Sequence, residues 1–250
     1  MKVVIAAAGT GGHINPGIAI ANKIMKEEPN SKIIFIGTKR GLETNLVPRV
    51  GYELKTIDSY GISRELSLKN VKRLAKTIHS ITEAKNILKS FKPDLVIGTG
   101  GYICISVCIA AKKLKIPYII HESNVLPGVS TKILSKNAKK ILVGFKEAKN
   151  RLPKAKEIIF TGTPTKVKKI NLSKAEIDTK KQELGFLKEK PLILVFGGSQ
   201  GAQSINKSMT DIIKNKMNTN YQIIWAAGPE QYEKIKQDLL KENIDIDKLY

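Results

Sequence analysis

The chain has 250 residues, 42% of them apolar, which is enough to bury a sizeable core in one large or two ordinary domains. Forty-three lysines and arginines against 22 acids give a formal charge of +21, but few aromatics accompany the lysines and no nucleic-acid module is recognisable, so no nucleic-acid partner is expected. Two cysteines and three scattered histidines exclude a disulfide framework and a four-ligand zinc site, and no metal is expected.

The first run, residues 3–8, reads as a buried strand. It is too short for the apolar core of a signal peptide, and no apolar run approaches the ~18 residues that span a bilayer. The chain is therefore expected on the cytoplasmic side, with any membrane contact peripheral. A helix is expected to begin at Pro16 with Asn15 as its cap and Ile18, Ala21 and Ile24 on one face. After a strand at 32–36, residues 68–90 carry Leu68, Val71, Leu74, Ile78, Ile81 and Leu88 at helical spacing, flanked by Lys69, Lys72, Arg73 and Lys76. That flank reads either as the wet face of a packed helix or as a basic rim resting on anionic lipid.

Further strands are expected at 95–97, 118–120, 140–143 and 158–160. Several of these runs are continuously apolar, as in strands buried on both faces of a parallel sheet. Cys104 and Cys108, four apart in an apolar run, fit one face of a helix as buried thiols. Residues 132–156 hold nine lysines or arginines and one acid, Glu147, which marks a local basic face. Thr161-Gly162-Thr163-Pro164 is turn chemistry. Beyond it come a charged helix at 174–184, a strand at 192–196, a glycine loop, a helix and a strand at 222–225. Alternating strands and helices predict a doubly wound α/β fold of two tandem Rossmann-like units, residues 1–162 and 163–250. The second unit has only about two strands, and Ile244-Asp245-Ile246-Asp247 reads as the lead into another. The chain is thus expected to be partial, with a second unit only begun.

Three glycine loops share one layout between a strand and a helix: Gly9-Thr10-Gly11-Gly12-His13, Gly98-Thr99-Gly100-Gly101-Tyr102 and Gly197-Gly198-Ser199-Gln200-Gly201-Ala202. Glycine permits close backbone approach, and the helix N-terminus behind it offers free N–H groups to phosphate. One such loop can be a plain turn; three in two tandem units point to a ligand. A nicotinamide dinucleotide is disfavoured, because Ile14 stands at the third glycine position and Ile36-Gly37-Thr38 lacks the ribose-binding acid. A phosphate-bearing ligand such as a sugar nucleotide remains.

Several segments resemble the MurG family, UDP-N-acetylglucosamine transferases that convert lipid I to lipid II. Residues Gly9 to Gly17 resemble the family's opening, Lys92 to Tyr102 its second loop, His121-Glu122-Ser123-Asn124 with Pro127-Gly128 its HEQN…PG segment, and Gly197 to Ala202 its third loop. The resemblance implies the GT-B fold, inverting transfer without a cofactor or essential metal, and peripheral attachment to the inner face of the plasma membrane through anionic lipid. It also implies that the donor's uracil and ribose are gripped by a segment beyond residue 250.

The resemblance further implies roles. His13 would take the proton from the acceptor 4-hydroxyl, or else cap a helix or pack a loop. Thr10, Gly11, Gly12, Asn124, Lys166 and Ser199 would bind UDP-N-acetylglucosamine. Gly100, Gly101 and Tyr102 would line the diphosphate of lipid I. Glu122 is either a second acidic player or a buried hydrogen-bonding group. Ser123 stands where the family usually has Gln, and Lys166 where it often has Arg. The alternatives are another UDP-sugar enzyme of this fold, such as a glycolipid synthase or an epimerase, or a non-catalytic membrane-docking subunit.

Overall fold

The computed structural model describes residues 1–59, 68–165, 167, 169–198 and 201–244, and of residues 68–78 the backbone alone. The chain divides into two compact units, Met1–Lys168 and Lys169–Tyr250.

The first unit runs β1 (Lys2–Ala7), α1 (Gly11–Glu27), β2 (Lys32–Gly37), α2 (Glu43–Leu46), β3 (Glu53–Thr56), α3 (Leu68–Phe91), β4 (Leu95–Gly100), α4 (Ile103–Lys113), β5 (Tyr118–Glu122), α5 (Val129–Leu134), β6 (Lys140–Val143) and β7 (Ile158–Phe160). All seven strands are parallel, in the order β3-β2-β1-β4-β5-β6-β7. Alternate residues of β1 feed two cores. Val3, Ile5 and Ala7 pack with Phe35 and with Ile14, Ile18 and Ala21 of α1. Val4 and Ala6 pack with Leu88 of α3 and Val107 and Cys108 of α4. Helices on both faces therefore explain why β1 has no polar position after Lys2. Chain order reverses between β1 and β4, so the connections leaving these two strands diverge and open a crevice at their carboxyl ends.

Two features depart from the expectations. Helix α1 begins at Gly11 with Thr10 as N-cap, and Pro16 lies inside it. The Thr10 carbonyl accepts from the N–H of His13 and of Ile14, closing a first turn across two glycines. Pro16 then sacrifices one helical hydrogen bond, a loss that the burial of Ile14, Pro16, Gly17 and Ile18 offsets. Strand β3 is additional to the expected strands, because the four residues Glu53-Leu54-Lys55-Thr56 are too few to tell from a loop; it is the sheet edge, with Glu53 and Lys55 exposed and ion-paired at 2.6 Å. Both cysteines are buried on α4, and burial pushes the Cys104 thiol up to about 12.

The second unit runs α6 (Lys174–Glu183), β8 (Leu192–Phe196), α7 (Gln203–Lys214), β9 (Gln222–Ala226) and α8 (Pro229–Leu240). Helix α6 buries nothing and is held locally by a capping box: Ser173 Oγ accepts from Glu176 N–H, and the Glu176 carboxylate accepts from Ser173 N–H. Strands β8 and β9 pair in parallel. The continuously apolar run of β8 is nonetheless open on one side, with Leu194 and Phe196 60% and 61% exposed. Among the described residues β8 has one strand neighbour, so its apolar side chains are only partly covered. Of the expected lead into a further strand, Ile244-Asp245-Ile246-Asp247, all but Ile244 lies outside the described residues, as do the side chains of the basic flank at 68–78.

Candidate functional site

At the carboxyl end of β1 the chain turns through Gly9, whose φ of +94° is the left-handed conformation that glycine adopts without strain. Thr10 follows as N-cap of α1 and is exposed; Gly11 and Gly12 form the first turn with His13. His13 Nδ1 lies 3.1 Å from the carbonyl oxygen of Ala8. A carbonyl only accepts, so Nδ1 carries the hydrogen, and in the neutral ring Nε2 presents its lone pair.

The β4 connection closes over this histidine. A side-chain carbon on Gly100 (φ +130°) would lie 2.3 Å from His13 Cδ2, and one on Gly101 (φ +84°) 2.6 Å from the Ala8 oxygen. Thr99 Oγ1 donates to the His13 carbonyl at 2.8 Å. Thr10, His13, Gly100 and Gly101 are thus brought together at the switch point, with Tyr102 as N-cap of α4 beside them.

Strand β5, next to β4, ends in a second arrangement. Glu122 is buried and accepts four hydrogen bonds: Oε1 from Asn124 N (3.0 Å) and Nδ2 (2.9 Å), Oε2 from Gly128 N (2.9 Å) and Thr131 Oγ1 (2.7 Å). Of its two readings, buried hydrogen bonding is the one the geometry displays. It fixes the loop that carries exposed Asn124, whose amide oxygen is not engaged by Glu122. His121 is buried; its Nε2 donates to the Gly162 carbonyl at 3.1 Å, and its Nδ1 then accepts from Ser123 Oγ at 3.3 Å. Burial holds its pKa below the ordinary histidine value. The hydroxyl of Ser123 therefore serves as donor to His121.

Two organising residues escaped the sequence reading. Glu43 reaches back from α2 to the ends of β1 and β2: Oε1 accepts from Thr38 N (2.8 Å) and Oγ1 (2.7 Å), and Oε2 from Gly9 N (2.9 Å). The available signal was the pair Gly37 and Gly41, which leave it room; side-chain carbons there would approach it to 2.6 and 2.0 Å. In the second unit, Asn206 of α7 donates to the Ala227 carbonyl and Gln231 Oε1, each at 2.8 Å, and accepts from Trp225 Nε1 at 3.0 Å. It binds α7, β9 and α8 together behind Gly201, whose φ is +76° and which has no room for a side chain against the Ala227 carbonyl. Lys166 and Ser199 lie outside the described residues.

The glycosyltransferase family 28 N-terminal domain matches residues 3–143, and the C-terminal domain of the same family matches residues 192–250. The chain belongs to glycosyltransferase family 28. Among curated relatives, the UDP-N-acetylglucosamine–N-acetylmuramyl-(pentapeptide) pyrophosphoryl-undecaprenol N-acetylglucosamine transferase of Acetivibrio thermocellus is 43% identical over 96% of this chain, and that of Thermoanaerobacter sp. (strain X514) 45% identical over 99%. This chain spans 64% and 67% of the length of those two relatives. The crystal structure of Acinetobacter baumannii MurG superposes with a TM-score of 0.65 at 25% identity, covering 96% of this chain and 64% of that one. A UDP-GlcNAc 2-epimerase from Neisseria meningitidis superposes at 0.63 and 16% identity, over 98% and 71% of the two chains, a likeness of fold alone. The family 28 fold here is of the GT-B type, a seven-stranded parallel sheet in one unit and a smaller parallel sheet in the other.

Proposed function

We propose that this family 28 chain transfers N-acetylglucosamine from UDP-N-acetylglucosamine to the 4-hydroxyl of lipid I, forming lipid II in peptidoglycan synthesis. The observation that carries the reading is the His13 ring, held at the switch point with Nε2 as its lone-pair nitrogen. Nε2 takes the 4-hydroxyl proton, the oxygen attacks the anomeric carbon from the face opposite UDP, and the diphosphate leaves with the bonding pair, inverting the centre. Thr10, Gly11, Gly12, Asn124, Lys166 and Ser199 bind the donor; Gly100, Gly101 and Tyr102 line the acceptor diphosphate. Residues 1–162 serve the acceptor, and residues 163–250 begin the donor-binding domain. The activity for which the curated relatives are named supports the same pair of substrates.

The test is radiolabelled UDP-N-acetylglucosamine with a lipid I analogue, given to this chain extended to the length of its curated relatives. Label in the lipid product with equimolar UDP is expected. Interconversion of the free UDP-sugar without acceptor would overturn the reading in favour of an epimerase, and no turnover in favour of a docking role.

The same reading places the chain as a peripheral protein on the cytoplasmic face of the plasma membrane, bound through anionic lipid. No helix among the described residues is long and apolar enough to cross a membrane. A cleft of about 350 Å³ is lined by Lys112, Lys115, Lys139 and Lys156 around Pro117 and Tyr118, with no acid in its wall. A second, of about 170 Å³, joins Lys132, Arg151 and Lys154 to Leu152 and Pro153. Basic side chains near an anionic surface contribute about 1 kcal/mol each, so Lys112→Glu with Lys139→Glu should weaken vesicle binding by ~10-fold or more. Binding should need anionic lipid and fall with salt. Equal binding to neutral vesicles at low and high salt, read by co-sedimentation, would sink it.

A further inference from the structure

We propose that Glu43 is a positioning residue for His13, acting through the single peptide group that joins Ala8 to Gly9. The inference rests on His13 as the base. The N–H of that peptide donates to Glu43 Oε2 at 2.9 Å, and its C=O accepts from His13 Nδ1 at 3.1 Å. A peptide group is planar and stiff, so a carboxylate that fixes the N–H end also aims the C=O end. It acts electronically as well. A charge-assisted bond at the N–H draws density onto the oxygen and strengthens the second bond of the chain. Both effects favour the imidazole with hydrogen on Nδ1 and the lone pair on Nε2. When Nε2 gains the acceptor proton, the positive ring keeps the same Nδ1–H bond, and no proton passes along the peptide.

The surroundings keep this relay in one arrangement. Glu43 is fully buried, and Oε1 is committed to Thr38. The 41–43 turn also takes the other side of Gly9, whose carbonyl accepts from Leu42 N–H at 3.4 Å. On the far side the Ala8 oxygen faces Gly101, where even a methyl group would stand 2.6 Å away. The peptide cannot flip without displacing one of these. A carboxylate that only filled space would have no need of a bond to the one peptide that orients the imidazole.

The decisive variant is Glu43→Gln, which keeps the shape but has one acceptor oxygen for three donors. In the full chain, imidazole ¹⁵N shifts should move from the Nδ1–H tautomer toward a mixture, and the Gly9 amide proton should move upfield. In the transfer assay kcat should fall on the order of 10-fold, short of the ~10²-fold of a 1 Å misplacement, with donor KM unchanged. In a His13→Ala background the same change should alter kcat less than ~2-fold, because the two residues act as one unit. An unmoved tautomer, or an equal fall in both backgrounds, overturns the proposal. Full kcat in His13→Ala would instead overturn the assignment of the base, while the ¹⁵N shifts separately decide whether Glu43 orients the ring. Should Glu43→Gln fail to fold, Gly41→Ala displaces the carboxylate without removing it and should give the same tautomer change.

Discussion

Replacing His13 with alanine is expected to lower kcat for sugar transfer by ~10²–10⁴-fold and to leave donor KM nearly unchanged, the pattern of losing a general base while ground-state binding is kept. The ring contributes little to the core, since it is only partly buried and sits in the first turn of α1. Its one described side-chain hydrogen bond goes to the Ala8 carbonyl, leaving Nε2 for chemistry. His13→Asn separates base from structure. An Asn Nδ2 can still donate to Ala8, so the turn survives, but an amide is too weak a base to take the proton, and kcat should fall as far as in the alanine variant. Steady-state rates with thermal melts of both variants check this. A His13→Asn enzyme with native kcat would return the histidine to a packing role.

The parts of this chain that were legible in advance share a physical cause. Strands β1, β2 and β4 to β6 are covered on both faces, so their sequences are apolar runs that no loop would tolerate. Strand β3 sits at the edge with one face in water, and its alternating Glu53-Leu54-Lys55-Thr56 is too short to separate from a loop. The start of α1 was misplaced because Gly11 and Gly12 are poor helix formers. Tertiary burial of the following Ile14 and Ile18 decided the matter.

The site shows the same division. His13 and the glycines were visible because their spacing is local. Glu43 was not, because an acid was sought directly after β2 at residues 36–38, while the one that matters returns from α2 after a turn. Asn206 was hidden because an asparagine within a helix reads as surface until its partners on β9 and α8 are known. Both are buried polar groups that reach partners on elements distant in sequence, Gly9 for Glu43 and Trp225, Ala227 and Gln231 for Asn206, and neither periodicity nor motif spacing encodes such pairings.

Glu122→Ala should destabilise the first unit by ~3 kcal/mol or more, since bonds to a charged acceptor are worth ~1.5–3 kcal/mol each and buried donors are left unpaired. Four donors converge on this carboxylate, and water can replace it for the exposed Asn124 but not for Thr131, which is 4% exposed. For a unit of this size the loss corresponds to a fall of about 6–12 °C in Tm. Glu122→Gln should cost less. Its oxygen keeps two donors and the Thr131 hydroxyl can rotate to accept from the new NH2 group, but the fixed N–H of Gly128 cannot, so about one bond is lost. The order wild type, Gln, Ala in melting temperature is therefore expected, with faster hydrogen exchange at the Gly128 amide in both variants and at the Asn124 amide in Glu122→Ala alone. Equal stability of wild type and Glu122→Ala would mean that the loop from Ser123 to Gly128 is held by its own turns and not by the carboxylate beneath it.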